Sequence, residues 1–213
     1  MRTILVLNPK GGCGKSTLAT NLASYYATLG NRVCLADYDG QNSSLDWLAA
    51  RPEERPAITA ANMTEEGARL PRGHEVAIMD APAATHGADL KKLVRSAQTL
   101  IMPVLPSPMD MRASARFIHE LLADARVSRQ KTRIGVVANR VRTNTLVYLS
   151  LSRFLRRLKI PVIATLRDTQ NYIRAAENGL GIFEMPPSQV DKDLEQWEKL
   201  TRWLRSKRSL PSD

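Results

Sequence analysis

Two lysines, three glycines and two hydroxyl residues fall within eight consecutive positions, Lys10-Gly11-Gly12-Cys13-Gly14-Lys15-Ser16-Thr17. Ammonium groups, hydroxyls and a glycine backbone crowded into one stretch suit the binding of a polyanion. An apolar run, Thr3 to Leu7, precedes the stretch, and Leu18, Leu22, Ala23, Tyr26 and Leu29 follow at helical spacing. The glycines therefore lie where a buried strand turns into a helix. The first N–H groups of a helix lack internal partners, and the helix dipole favours negative charge there. A phosphate fits that place. Lys15 is placed to reach outer phosphates and Ser16 to ligate Mg²⁺. Cys13 fills the variable slot, where its backbone N–H is expected to matter more than its thiol. The strict spacing G-x-x-x-x-G-K-[ST] is not met, because Pro9 stands where glycine is required.

Further polar groups follow other apolar runs. Asp37 and Asp39 leave the run that starts at Arg32, and Gln41, Asn42, Ser43 and Ser44 come next. Beyond strand ends of a parallel sheet, such residues face a ligand. The plainer reading is a capped turn with Ser43 or Ser44 starting a helix over 45–50. Asp80 ends the run Val76 to Met79, a position from which a carboxylate can support Mg²⁺. His86 lies in the small-residue loop that follows and reads as a solvated loop histidine. Ser107 or Asp110 is expected to cap a helix after the strand 99–105. Asn139 ends the strand 134–138, where its amide can pair with a purine edge.

These elements alternate as strand and helix throughout. The spacing predicts an α/β fold, one domain over 1–213, with a mostly parallel twisted sheet flanked by helices on both faces. Residues 51–74 are expected to form a surface excursion with a short helical patch around 65–70. The final helix, about 190–206, carries the stripe Leu194, Trp197, Leu200, Thr201, Trp203 and Leu204. It reads as packed on the sheet, or else as a membrane-surface helix. Acidic residues in its first half argue against the second reading.

The chain has 213 residues and a net charge of +10. No apolar run is long enough to span a bilayer, and Met1-Arg2-Thr3 leads straight into the first strand, so no leader is expected. Two cysteines make no disulfide framework, which fits a reducing, cytoplasmic setting. Between Arg112 and Arg174, fourteen Arg and Lys face three acidic residues. That stretch carries the whole positive excess and points to a polyanionic partner. Arg153, Arg156, Arg157, Arg167 and Arg174 are the residues expected to touch nucleic acid.

The Lys-Gly-Gly-x-Gly-Lys-[Ser/Thr] stretch, with Asp37-x-Asp39-x-Gln41, Asp80-Ala81-Pro82, Pro106-Ser107 with Asp110, and Asn139-Arg140, resembles the ParA/MinD family of deviant Walker A ATPases over nearly the full chain. The resemblance implies ATP and Mg²⁺ as cofactors and an ATP-dependent sandwich homodimer. In it Lys10 reaches the partner's nucleotide and Lys15 cradles phosphates in cis. Gly11, Gly12, Cys13, Gly14, Ser16 and Thr17 would bind the phosphates. Asp39 would position the attacking water, Ser16, Asp37 and Asp80 would support the metal, and Asn139 would contact adenine. The family pattern further implies non-specific DNA binding on the nucleoid and a partner protein that stimulates hydrolysis and links to a cargo. Gly40 departs from the family's proline, which predicts a looser loop. The loop begins by residue 10, with no helix-turn-helix segment before it in this sequence, which argues for a short type. A membrane-cycling ATPase and a scaffold ATPase without DNA binding are the competing expectations.

Overall fold

The computed structural model describes residues 1–83, 85–123 and 131–211. Seven strands form one sheet among these residues: β1 (Arg2–Val6), β2 (Val33–Asp37), β3 (Ile58–Asn62), β4 (Val76–Asp80), β5 (Thr99–Val104), β6 (Arg133–Val141) and β7 (Val162–Arg167). Their order is β3-β2-β4-β1-β5-β6-β7, and every pairing is parallel. Seven α-helices accompany them among the described residues: α1 (Lys15–Thr28), α2 (Ser43–Ala49), α3 (Gly87–Ser96), α4 (Pro108–Ala123), α5 (Leu146–Arg157), α6 (Asn171–Glu177) and α7 (Pro187–Arg205).

The interior strands read as continuous apolar runs because both of their faces are covered. Leu5, Ala77, Met79, Leu100 and Met102 pack one face under α3, α4 and α5, through Leu90, Phe117, Leu121, Leu151 and Leu155. Ile4, Val6, Leu35, Ile78 and Ile101 pack the other under α1 and α7, through Leu18, Leu22, Trp197 and Leu200. Trp197 and Leu200 are fully buried, so the stripe of the final helix is spent on the sheet. No helix among the described residues is long and apolar enough to cross a membrane.

The excursion at 51–74 differs from expectation. It contains an edge strand, β3, paired in register with β2 from Val33↔Ile58 to Asp37↔Asn62. Residues 65–70 hold a short turn at Glu66 and Gly67 and irregular chain after it, with no helical patch. The strand was obscured because an edge strand keeps polar and small residues on its open side. Ile58 to Asn62 accordingly has no buried position: Ile58 and Ala61 are half-buried and Thr59, Ala60 and Asn62 are exposed.

A buried ion pair ties the end of α2 to the far end of the chain. Arg51 meets Glu184 at 2.6 Å, with side chains 5% and 1% exposed. The Arg51 guanidinium also donates to the carbonyls of Gly179 and Pro56. Gly179, at φ +61°, passes so close to the Ala50–Arg51 backbone that a Cβ would collide with it.

Candidate functional site

β1 is interior to the sheet, and the loop 8–14 leaves its carboxyl end. Gly12 and Gly14 take φ of +75° and +92°, a region L side chains rarely adopt. Gly14 is the N-cap of α1 and offers no side-chain hydrogen bond to the helix, and the first turn carries no acidic residue. The first N–H groups of α1 are thus left for an external anion. Lys10 is exposed at the rim of the loop, while Lys15 is buried. The Lys15 ammonium donates to the Lys10 carbonyl at 3.4 Å, and the Cys13 thiol donates to the same oxygen at 3.1 Å. Burial pushes the Cys13 thiol pKa up, which suits a packed side chain better than a nucleophile. Ser16 and Thr17 are half-buried in the first turn.

One residue that sequence reasoning passed over shapes this loop. Asn8 is fully buried. Its Oδ1 accepts from the Lys10 N–H at 2.9 Å, and its Nδ2 donates to the Pro103 carbonyl of β5. Asparagine bonding to the backbone two residues on is a known turn device, and an Asn-Pro step at a strand end is the signal that could have found it.

Asn139 supports the loop from the opposite side. Its Nδ2 donates to the Cys13 carbonyl at 2.8 Å, and a Cβ on Gly14 would collide with that nitrogen. The β6–β7 register shifts between Ala138 and Val141, and Arg140 takes φ +50°. A bulge re-aims the side chains beside it, and here Asn139 is turned under the phosphate loop.

Asp37 and Asp80 end neighbouring strands. Asp37 Oδ1 accepts from the Asp39 N–H at 2.9 Å. Its Oδ2 accepts from the Ser44 N–H at 3.1 Å and the Ser44 hydroxyl at 2.7 Å. Asp37 therefore holds the loop that carries Asp39, while Asp39 Oδ1 accepts from the Gln41 N–H at 3.1 Å. Asn42, at φ +54°, stands at the N-cap position of α2 without a side-chain bond to the helix, so neither Ser43 nor Ser44 is the cap. Ser44 is instead buried against Asp37.

Asp80 is 1% exposed, and neither carboxylate oxygen has a hydrogen-bond partner among the described residues. Burial raises its pKa to about 7. The Asp37 carboxylate adds to that, and Ser16, Lys15 and Ser44 oppose it. A buried, unpartnered carboxylate beside a serine hydroxyl suits a hard divalent cation with oxygen ligands. Ser16 and Asp80 fit Mg²⁺; Asp37 has both oxygens engaged by the chain.

The remaining candidates lie apart. His86 is exposed at the start of α3, with Nδ1 4.0 Å from Glu120. Ser107 Oγ accepts from the Asp110 N–H at 3.5 Å, so Ser107 caps α4. Asp110 is buried, with Oδ1 unpartnered among the described residues. The five arginines expected on nucleic acid lie on three elements, and four of them are exposed. Arg153, Arg156 and Arg157 are exposed on α5, and Arg174 is exposed on α6. Arg167 pairs with the fully buried Asp193 at 2.5 Å. Asp124, Arg126 and Arg129 of the basic stretch lie outside the described residues.

A glycine loop between strand and helix, two lysines and a metal-ready aspartate on the adjacent strand define a P-loop nucleotide-binding protein. Residues 4–182 match the family model described as the CobQ/CobB/MinD/ParA nucleotide binding domain, and the chain belongs to that family as an ATPase of the ParA/MinD kind. It is 32% identical over 189 residues to the maintenance of carboxysome distribution protein A of Gloeobacter kilaueensis, covering 86% of this chain and 84% of that one. It is 28% identical over 190 residues to the protein of the same name from Halothiobacillus neapolitanus, covering 86% and 87%. A putative plasmid partition protein of Borrelia burgdorferi bound to AMPPNP shares the fold, with a TM-score of 0.73 at 16% identity over 94% of this chain and 98% of that chain.

Proposed function

We propose that this protein is a cargo-positioning ATPase that cycles between an ATP-bound homodimer on DNA and a released form, with a partner protein stimulating hydrolysis and linking it to the cargo. The observation that carries the reading is the uncapped start of α1, with Lys10 and Lys15 at its rim and base and the unpartnered Asp80 beside it. ATP and Mg²⁺ are the ligands of that site. The α1 N–H groups and Lys15 would hold the phosphates, and Ser16 and Asp80 would hold the metal, which when bound neutralises charge on the transferred phosphoryl group.

Each protein group has a distinct task. Lys10, exposed on the loop, is available to a neighbouring subunit, where a cation delivered in trans stabilises transition-state charge as an arginine finger does. Asp39, held through its own N–H by Asp37, orients the attacking water. The cargo class is supported by the similarity to the two carboxysome-distribution proteins, and the DNA step by the basic stretch. A nucleoid location follows from that DNA step.

The test combines ATP turnover, mass in solution and binding to unrelated duplex DNA with ATP, with ADP and without nucleotide. The reading expects slow turnover, a dimer only with ATP, and DNA retention that follows the dimer. Equal DNA binding in all three states removes the switch. Retention on anionic vesicles in place of DNA favours a membrane-cycling ATPase, although the final helix has its apolar stripe buried. Dimerisation without affinity for either surface favours a scaffold.

A further inference from the structure

Three arginines from two helices converge on one groove. Arg112 of α4 and Arg153 and Arg157 of α5 line a shallow depression of ≈ 360 Å³ together with Met111, Ser150 and Phe154. None of the three has an ion-pair or hydrogen-bond partner among the described residues. α5 contains no acidic residue, and the acidic residues of α4 are turned elsewhere: Asp110 is buried and Glu120 faces His86. Arg153 and Arg157 lie one turn apart. Like charges at that spacing destabilise a helix. A chain that sets Arg153 and Arg157 one turn apart on a helix without a carboxylate, with Arg112 across the groove from them, has local sequence in conflict with stability, and such conflicts mark functional places.

We propose that the α4–α5 groove is the seat of the nucleic-acid phosphate backbone, and that Arg112, Arg153 and Arg157 are its anchoring cations. The inference rests on the DNA reading above and adds the place, which lies on the α3–α4–α5 face of the sheet, away from Arg167. Guanidinium groups take phosphate oxygens through paired donors. The groove is lined by arginine, serine and apolar residues with no asparagine or glutamine, so it suits positioning on the backbone better than reading of adenine edges. Because both helices belong to one subunit, the groove exists before dimerisation. A single chain then holds duplex weakly, and an ATP-bound dimer with two grooves on one duplex holds it by avidity.

The test compares the full-length wild type with Arg112→Gln/Arg153→Gln/Arg157→Gln and with a control of equal charge change on other exposed residues, Arg72→Gln/Arg95→Gln/Arg208→Gln. The readouts are affinity for a duplex of unrelated sequence with ATP across 50–200 mM salt, ATP turnover and thermal unfolding. The groove variant is expected to lose at least about tenfold in affinity and to flatten the slope of log K against log salt by about 2.7 per protomer engaged. Its turnover should stay unchanged and its melting temperature should hold or rise as like charges are removed. The control should lose far less.

Equal losses in both variants would mean that bulk charge and not this groove carries binding, which overturns the proposal. Undiminished DNA binding by the groove variant overturns the groove alone and leaves the DNA reading intact. Absence of DNA binding by the wild type in every nucleotide state overturns the DNA reading, and the groove with it. Binding of the wild type to anionic vesicles, lost in the groove variant while DNA is ignored, overturns nucleic acid as the occupant.

Discussion

Asp37 and Asp80 are register partners in the parallel pairing of β2 and β4, and the fold treats the two carboxylates in opposite ways. Asp37 accepts three hydrogen bonds from its own loop. Asp80 accepts none among the described residues. One therefore shapes the loop that carries Asp39, and the other keeps both oxygens without a partner among the described residues.

Asp80 makes stability depend on pH. Its folded-state pKa is raised to about 7, above that of an unfolded aspartate near 3.9. The nucleotide-free fold thus binds this proton more tightly than the unfolded chain does. The resulting stabilisation is complete below about pH 4 and is lost as pH rises through about 7. Asp80→Asn should remove this loss, stabilising the nucleotide-free protein at pH 8 by up to roughly 4 kcal/mol. It should also abolish the Mg²⁺-dependent tightening of ATP. Thermal unfolding from pH 5 to 9, and nucleotide titrations with and without Mg²⁺, check both outcomes.

The two lysines should separate by function. Lys15→Ala removes a buried ammonium at the base of the loop and should abolish ATP binding. Lys10→Ala removes an exposed one and should leave ATP binding within a few-fold, while turnover falls by about 10³ or more, as for loss of a finger residue. Fluorescent-nucleotide titration, turnover and mass in solution distinguish them. Normal hydrolysis by Lys10→Ala ends the assignment in trans.

Ser44 couples α2, through Asp37, to the loop that carries Asp39. Ser44→Ala deletes the 2.7 Å bond to Asp37 and should cost about 1–3 kcal/mol of stability, because a buried acceptor is left under-satisfied. Turnover should fall with it as Asp39 loses its fixed support. Asp39→Ala should bind ATP normally and accumulate as a dimer, readable by light scattering.

Asn139 provides a test between two roles. As a brace for the Cys13 carbonyl, it shapes a loop that serves any nucleoside triphosphate. Asn139→Ala should then weaken ATP and GTP by similar factors. As an adenine reader, its loss should instead erase the preference between them. Competition titrations with the two nucleotides decide.

The Arg51–Glu184 pair is buried on both sides. Arg51→Ala leaves a carboxylate without its counter-charge in the interior and should destabilise by about 3–5 kcal/mol. Denaturant unfolding measures this, and nucleotide affinity of the surviving folded fraction should stay near normal, since the pair lies away from the loop 8–14.

Local patterns in the chain determined the strand-to-helix turn at 10–17, the parallel α/β class, and the aspartates at the ends of β2 and β4. Apolar runs, helical spacing and glycine placement act over a few residues and are legible without neighbours. Tertiary structure decided the rest. β3 became a strand because β2 offered an unpaired edge, and 65–70 took no helix. Asn139 turned under Cys13 because a bulge beside β7 re-aimed it. Arg167 was drawn to Asp193, 26 residues away in sequence, while Arg112 joined Arg153 and Arg157 across two helices. Hydrogen-bond and charge partners of that kind are chosen by distance in space, which spacing along the chain does not encode.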